Sequence, residues 1–93
     1  MAEQARLTVL IDNDRVRVNE WRFAPGTETG QHRHELDYVV VPMTTGTLVI
    51  RDTQGQRDNN LTAGAPYYRD AGAEHNVLNL SGGEVVFIEI EMK

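Results

Sequence analysis

Two histidines, His32 and His34, stand two residues apart in PGTETGQHRHELDYVVVPMTTG, the stretch from Pro25 to Gly46. Side chains on an extended strand repeat every second residue, so both imidazoles point to one face and Arg33 to the other. Two imidazoles on one face can share a metal ion. His75 arrives much later, in DAGAEHNVLN, again just after a glycine turn and at the head of a strand-like run. A fold that lays this run beside the first brings three nitrogen ligands together. Neutral imidazole suits zinc, nickel, copper and iron alike, so the ligand type does not choose the metal. Three histidines without a fourth protein ligand leave positions open for water, oxygen or substrate, which is the pattern of a catalytic site and not of a closed structural one. The plainer alternative is a pair of histidines on a solvated strand plus a separate core or surface histidine. Same-face spacing and the bracketing glycines argue against it.

The elements that must hold these residues read as short strands. Leu7 to Ile11 is an apolar run closed by the turn-forming Asp12-Asn13-Asp14. In Arg15 to Phe23, Val16 and Val18 lie on one parity and Trp21 and Phe23 on the other, which predicts a bulge near Asn19-Glu20 and a change of inward face. Trp21 and Phe23 read as core, dimer contact or pocket wall. Tyr38 to Met43 is rich in β-branched and aromatic residues, and its Pro42 suggests an edge position or an irregularity. Thr47 to Asp52 returns after the turn at Thr44-Thr45-Gly46. Arg57 to Thr62 is polar and weakly patterned, an edge strand if it is one. Tyr67 to Asp70 follows Ala63-Gly64-Ala65-Pro66, and Tyr67, Tyr68 and Arg69 are candidates for a cavity mouth, against a solvated face as the plain reading of Arg69. The His75 strand carries Val77 and Asn79 with the histidine, and Leu78 and Leu80 on its other side. Glu84 to Met92 alternates cleanly, predicting Val86, Ile88, Ile90 and Met92 inward, with Phe87, Glu89 and Glu91 opposite and both glutamates on a solvated or partner-facing edge. Short strands between glycine turns, with no helical period, describe an all-β sandwich or barrel.

With 93 residues the chain forms one domain, 1–93, with a single modest core. Fourteen acidic residues against nine basic give a net charge of −5, which argues against a nucleic-acid or anionic-membrane partner. Without cysteine there are no disulfides and no thiolate ligands. The opening MAEQARLTVL shows no secretory pattern, and no apolar run approaches the roughly 20 residues of a membrane span, so a cytoplasmic protein is expected. A single serine, Ser81, and no cysteine leave no nucleophile beside a base, and no P-loop or GxGxxG run appears. The apolar first segment, with Leu78, Leu80 and Phe87 read as outward-facing, exceeds what one small barrel buries, which predicts a two-fold homodimer.

These residues resemble the cupin family, a jelly-roll barrel (double-stranded β-helix). Its first motif runs glycine, five residues, His-x-His, three or four residues, an acidic ligand and later a closing glycine. Gly26, His32, His34 and Gly46 stand at the matching places, giving a first motif over 26–46. In the second motif, over 64–79, Gly72, His75 and Asn79 match. The likeness covers nearly all of the chain from Val16 to Met92, and HRHELDYVVVPMTTG is similar to a subgroup of small single-domain cupins tied to bacterial β-alanine degradation. The resemblance implies a divalent ion (Zn, Fe, Ni or Mn) on His32, His34 and His75, and a small-molecule substrate or ligand. It further implies a dioxygenase- or isomerase-like enzyme; the alternative is a module that captures a small ligand or metal without turnover. The sequence departs from the family where a glutamate is usual, having Tyr38 or Val39 there. Tyr38 is a candidate to coordinate or to hydrogen-bond in the site. Asp37 falls one position early and reaches the histidine face only through a bulge. Asn79 is a candidate to orient the metal shell, and Asp70 replaces the second motif's proline.

Overall fold

The structure, a computed structural model, describes residues 3–93. Its strands, in chain order, are β1 (Glu3–Gln4), β2 (Arg6–Asp12), β3 (Val16–Phe23), β4 (Thr27–Glu28), β5 (His32–Arg33) and β6 (Tyr38–Pro42). They continue with β7 (Gly46–Asp52), β8 (Gly55–Leu61), β9 (Tyr67–Arg69), β10 (Glu74–Leu78) and β11 (Val85–Met92). They form two sheets. One runs β1-β4-β10-β7-β8 with β5 added on β10, and the other runs β2-β3-β11-β6-β9. This is the all-β architecture that the glycine-punctuated pattern predicts, in the jelly-roll form that the cupin resemblance implies. No helix of the described residues is long and apolar enough to cross a membrane.

Between the sheets lies one core of Phe23, Tyr38, Val40, Leu48, Ile50, Leu61, Val77, Val85 and Phe87, with Trp21 packed against it. The Phe23 and Phe87 rings stack with centroids 5.7 Å apart. The predicted edge strand is β8, at the end of its sheet. The irregularity expected at Pro42 is also explained. Strand β9 pairs with β6 only from Tyr38 to Val40, so the proline, which has no N–H, stands where β6 has lost that neighbour.

Two readings of the pattern need correction. Strand β3 pairs with β11 without a break from Val16 to Phe23, and the register shift lies instead in β2, between Val9 and Ile11. The inward face of β3 therefore does not change: it is Arg17, Asn19, Trp21 and Phe23. The parity of β11 is likewise the reverse of the expectation, although Val86, on the outer parity, is buried as expected. Val85, Phe87, Glu89 and Glu91 stand opposite Phe23, Trp21, Asn19 and Arg17, whereas Ile88 and Ile90 are half-buried on the outer face. Phe87 and Leu78, expected outside, are buried; Leu80 is 57% exposed as expected. Physically, the two facing strands grade from apolar at one end of the barrel to ionic at the other, so an inward glutamate is no contradiction.

Candidate metal centre

The backbone brings the three histidines together through one short ladder. Strand β5 pairs antiparallel with β10 so that His32 lies opposite His75. One step further on, His34 N–H donates to Ala73 O, and Gly72 N–H donates to His34 O, both at 2.8 Å. Gly72 has φ +105°, a conformation that L side chains rarely adopt, so the turn before His75 depends on glycine. Because His32 and His34 are two apart on extended chain, both rings then face the same interior as His75.

The imidazoles meet through their Nε2 atoms. His32 Nε2 is 3.0 Å from His34 Nε2, which is 3.1 Å from His75 Nε2. Nitrogens bound to one ion at about 2.0–2.1 Å commonly sit roughly 3 Å apart, so these donors fit a shared transition-metal ion. All the ligand atoms lie within 4.8 Å of one another. Burial pushes the pKa of both His34 and His75 down to about 4, helped for each by the neighbouring His32. Both rings are therefore neutral near pH 7 and hold free lone pairs for a metal. The outer nitrogen of His32 is fixed as well: its Nδ1 lies 2.9 Å from Gly30 O and 3.2 Å from Thr29 Oγ1.

The other sequence candidates are placed as follows. Tyr38 is buried and lies flat against the His34 ring, with centroids 4.1 Å apart and planes 21° apart. Burial raises its hydroxyl pKa to about 12, so it stays a phenol. Asp37 is not brought to the histidines. No bulge turns it inward; it is exposed, and its carboxylate accepts the Ala71 N–H at 2.8 Å. Asn79 is fully buried but bonded elsewhere: its Nδ2 donates to Phe23 O at 3.0 Å and Gly83 O at 2.8 Å, and its Oδ1 accepts from the N–H and hydroxyl of Ser81. It organises the β10–β11 loop. Tyr67 accepts from Asn59, Tyr68 is half exposed on the outer face, and Arg69 covers the Tyr67 ring at 4.5 Å. None of the three borders the histidine cavity.

Trp21, for which a pocket wall was one reading, and the two glutamates expected on a solvated edge complete the site. A cavity of ≈ 190 Å³ opens beside His32 and His34, walled by Trp21 and Leu7 and bordered by Arg17, Asn19, Glu89 and Glu91. Glu89 is 5% exposed, and burial raises its pKa, partly offset by a hydrogen bond from Asn19. Asn19 Nδ2 donates to Glu89 at 3.2 Å and to Glu91 at 2.7 Å. The signal that could have found these residues was present. Glu89 and Glu91 share their parity with Phe87, and Asn19 shares its parity with Trp21 and Phe23, so the aromatic residues marked the inward face.

Comparison with known proteins agrees with this architecture. Over 90 residues the chain is 59% identical to the β-alanine degradation protein BauB of Pseudomonas aeruginosa, spanning 97% of this chain and 95% of BauB. The chain belongs to the cupins. A crystal structure of a cupin domain from Bordetella pertussis is 56% identical, with a TM-score of 0.98 over 100% of this chain and 97% of that one. An RmlC-like cupin with a double-stranded β-helix fold, from Methanocaldococcus jannaschii, shares 13% identity, with a TM-score of 0.79 over 98% of this chain and 82% of that one. This last likeness shows the fold. No family model matches the chain. In this cupin the three histidines converge, Tyr38 stacks on His34, and Asn79 bonds within the β10–β11 loop.

Proposed function

We propose that this cupin is a divalent-metal-dependent enzyme acting on a small polar organic substrate, in a step of β-alanine breakdown. The observation that carries the reading is the convergence of three Nε2 atoms beside an open, mixed polar and apolar cavity. A bound divalent ion would supply Lewis-acid polarisation there, whether Zn, Fe, Ni or Mn, and oxygen activation only where it is one of the redox-active three, Fe, Ni or Mn. The chain's own residues do the rest. His32, His34 and His75 hold the ion; Trp21 and Leu7 exclude water from one side; Arg17 offers a cation to an acidic substrate. The cavity suits a molecule of a few heavy atoms. The link to β-alanine rests on the similarity to BauB, whose name ties that protein to the pathway. Isomerase-like and dioxygenase-like chemistry both accord with an open three-histidine centre.

A second reading is favoured by one departure from the family. Tyr38, a phenol stacked on His34, stands where cupins usually place a carboxylate ligand, and three neutral ligands leave the ion's charge uncompensated. A capturing or sensing module would fit that. The protein is further proposed to act as a homodimer, since β2 is exposed along its whole length.

Metal analysis of the purified protein, followed by turnover assays and oxygen uptake with β-alanine-related acids, aldehydes and amines, decides between the readings. The expected result is one ion per chain in the wild type, none retained by His34→Ala, and turnover of at least one compound. Bound metal without turnover across the panel favours the module. Metal content unchanged in His34→Ala refutes the site.

A further inference from the structure

The carboxylate missing from the metal-ligand set stands one layer further out. Glu89 and His34 are both buried, 5% and 7% exposed, and Glu89 Oε2 lies 4.0 Å from His34 Nδ1. The other oxygen of Glu89 is anchored, because Asn19 Nδ2 donates to Oε1. Asn19 is itself 2% exposed, and its amide orientation is set by the two carboxylates it serves. The Trp21 side chain also hydrogen-bonds this carboxylate, and Oε2 is the oxygen that lies on the His34 side. On the histidine side, Nε2 is directed at the nitrogens of His32 and His75, and the ring face is covered by Tyr38. Nδ1 is the atom that remains.

The tautomer follows from the chemistry of the ring. A neutral imidazole carries one proton, and a nitrogen that gives its lone pair to a metal cannot hold it. If Nε2 binds the ion, the proton is on Nδ1, aimed at the Glu89 carboxylate. His32 shows the same arrangement, with its Nδ1 against Gly30 O at 2.9 Å. A shift of roughly 1 Å would bring the Glu89 pair into hydrogen-bond range.

We propose that Glu89 is the positioning residue of the metal centre: held by Asn19, it accepts the Nδ1 proton of His34, fixes that ring with Nε2 free, and supplies through it the negative charge that the family usually places on the metal. This rests on the three-histidine reading above. It assigns to the last strand a part in metal affinity that neither sequence motif contains.

The test uses Zn²⁺ alone, in competition titrations against a chelating dye, on wild type, Glu89→Gln and Glu89→Ala. Loss of a partner to a metal-bound histidine typically weakens metal binding about 10–100-fold. Glu89→Ala is expected in that range, and Glu89→Gln, which keeps an acceptor oxygen but not the charge, between it and wild type. Circular dichroism identifies any variant that fails to fold. A second readout is independent of metal: long-range ¹H–¹⁵N correlation spectra of the zinc-free protein, in which His34 is expected as the Nδ1–H tautomer in wild type and as a mixture in Glu89→Gln. Variants that bind Zn²⁺ within about twofold of wild type, or a His34 tautomer indifferent to residue 89, overturn the proposal. A wild type that binds no Zn²⁺ but shows the tautomer change refutes the metal reading and leaves the Glu89–His34 contact standing.

Discussion

At the scale of single residues, His34 and His75 carry the strongest physical signature. Burial holds both near a pKa of 4, against 6.5 for a free imidazole, the value each has in the unfolded chain. Between those pH values the unfolded chain binds more protons than the folded one. Stability contributed by the two neutral rings is therefore present above about pH 6.5 and is lost as the pH falls toward 4. Glu89 works in the opposite direction, because burial raises its pKa and its ionisation opposes folding as the pH rises. A difference measurement separates them. In EDTA, the midpoint of thermal unfolding of the wild type is expected to fall between pH 6.5 and 4, and to fall less steeply in His75→Asn, which has no proton to gain. Equal slopes would mean that His75 is not held neutral by its surroundings. Much of this centre was legible in the sequence, since the two-residue spacing put His32 and His34 on one face and the likeness to the second cupin motif brought in His75. Glu89 was missed although it shares its parity with Phe87, because the apolar alternation of Val86, Ile88 and Ile90 pointed to the opposite face.

Strands show why the rest was misread. The cleanest alternation in the chain, Val86, Ile88, Ile90 and Met92, lies on the outer face of β11, while the interior takes Val85, Phe87, Glu89 and Glu91. Periodicity reports that a strand has two faces, and only the partner sheet decides which is inside. The bulge was displaced for a similar reason. A run such as Arg17 to Phe23 that passes from ionic to aromatic looks like a change of face when the cavity itself changes polarity along its length. Loop residues are subject to the same ambiguity, and Asn79 is the case in point. It satisfies Phe23 O, Gly83 O and the Ser81 amide from a fully buried position, so it fixes how β10 turns into β11. Asn79→Ala leaves those groups without their partner and is expected to lower unfolding stability by about 2–4 kcal/mol, with Zn²⁺ affinity unchanged. Urea unfolding and a zinc titration on the same sample check both halves. A fall in affinity at undiminished stability would return Asn79 to the metal shell.

On the scale of the whole molecule, the apolar surface is unevenly distributed. Every residue of β2 is exposed, although Leu7, Val9, Leu10 and Ile11 are 42–50% exposed apolar side chains, and among the described residues the strand ends its sheet with one edge unpaired. The outer face of that sheet continues the pattern. Ile11 stands opposite Val18, Val18 opposite Ile90, Ile90 opposite Val39 and Val39 opposite Tyr68, so an apolar row crosses all five strands. An uncovered edge and an uncovered apolar face together are an association hazard that natural sheets usually cover. A second copy related by two-fold symmetry covers both at once, because the same patch then meets itself. Light scattering behind gel filtration is expected to give twice the chain mass for the wild type. Leu10→Asp combined with Ile11→Asp places two charges on a strand that touches little of the core, so it should yield a folded monomer. A wild type that runs as a monomer at micromolar concentration, or a double variant that stays dimeric, removes β2 from the interface. Leu7 also walls the histidine cavity. Association along β2 would therefore narrow the opening to the metal centre, and the monomeric variant should admit Zn²⁺ chelators faster than the dimer does.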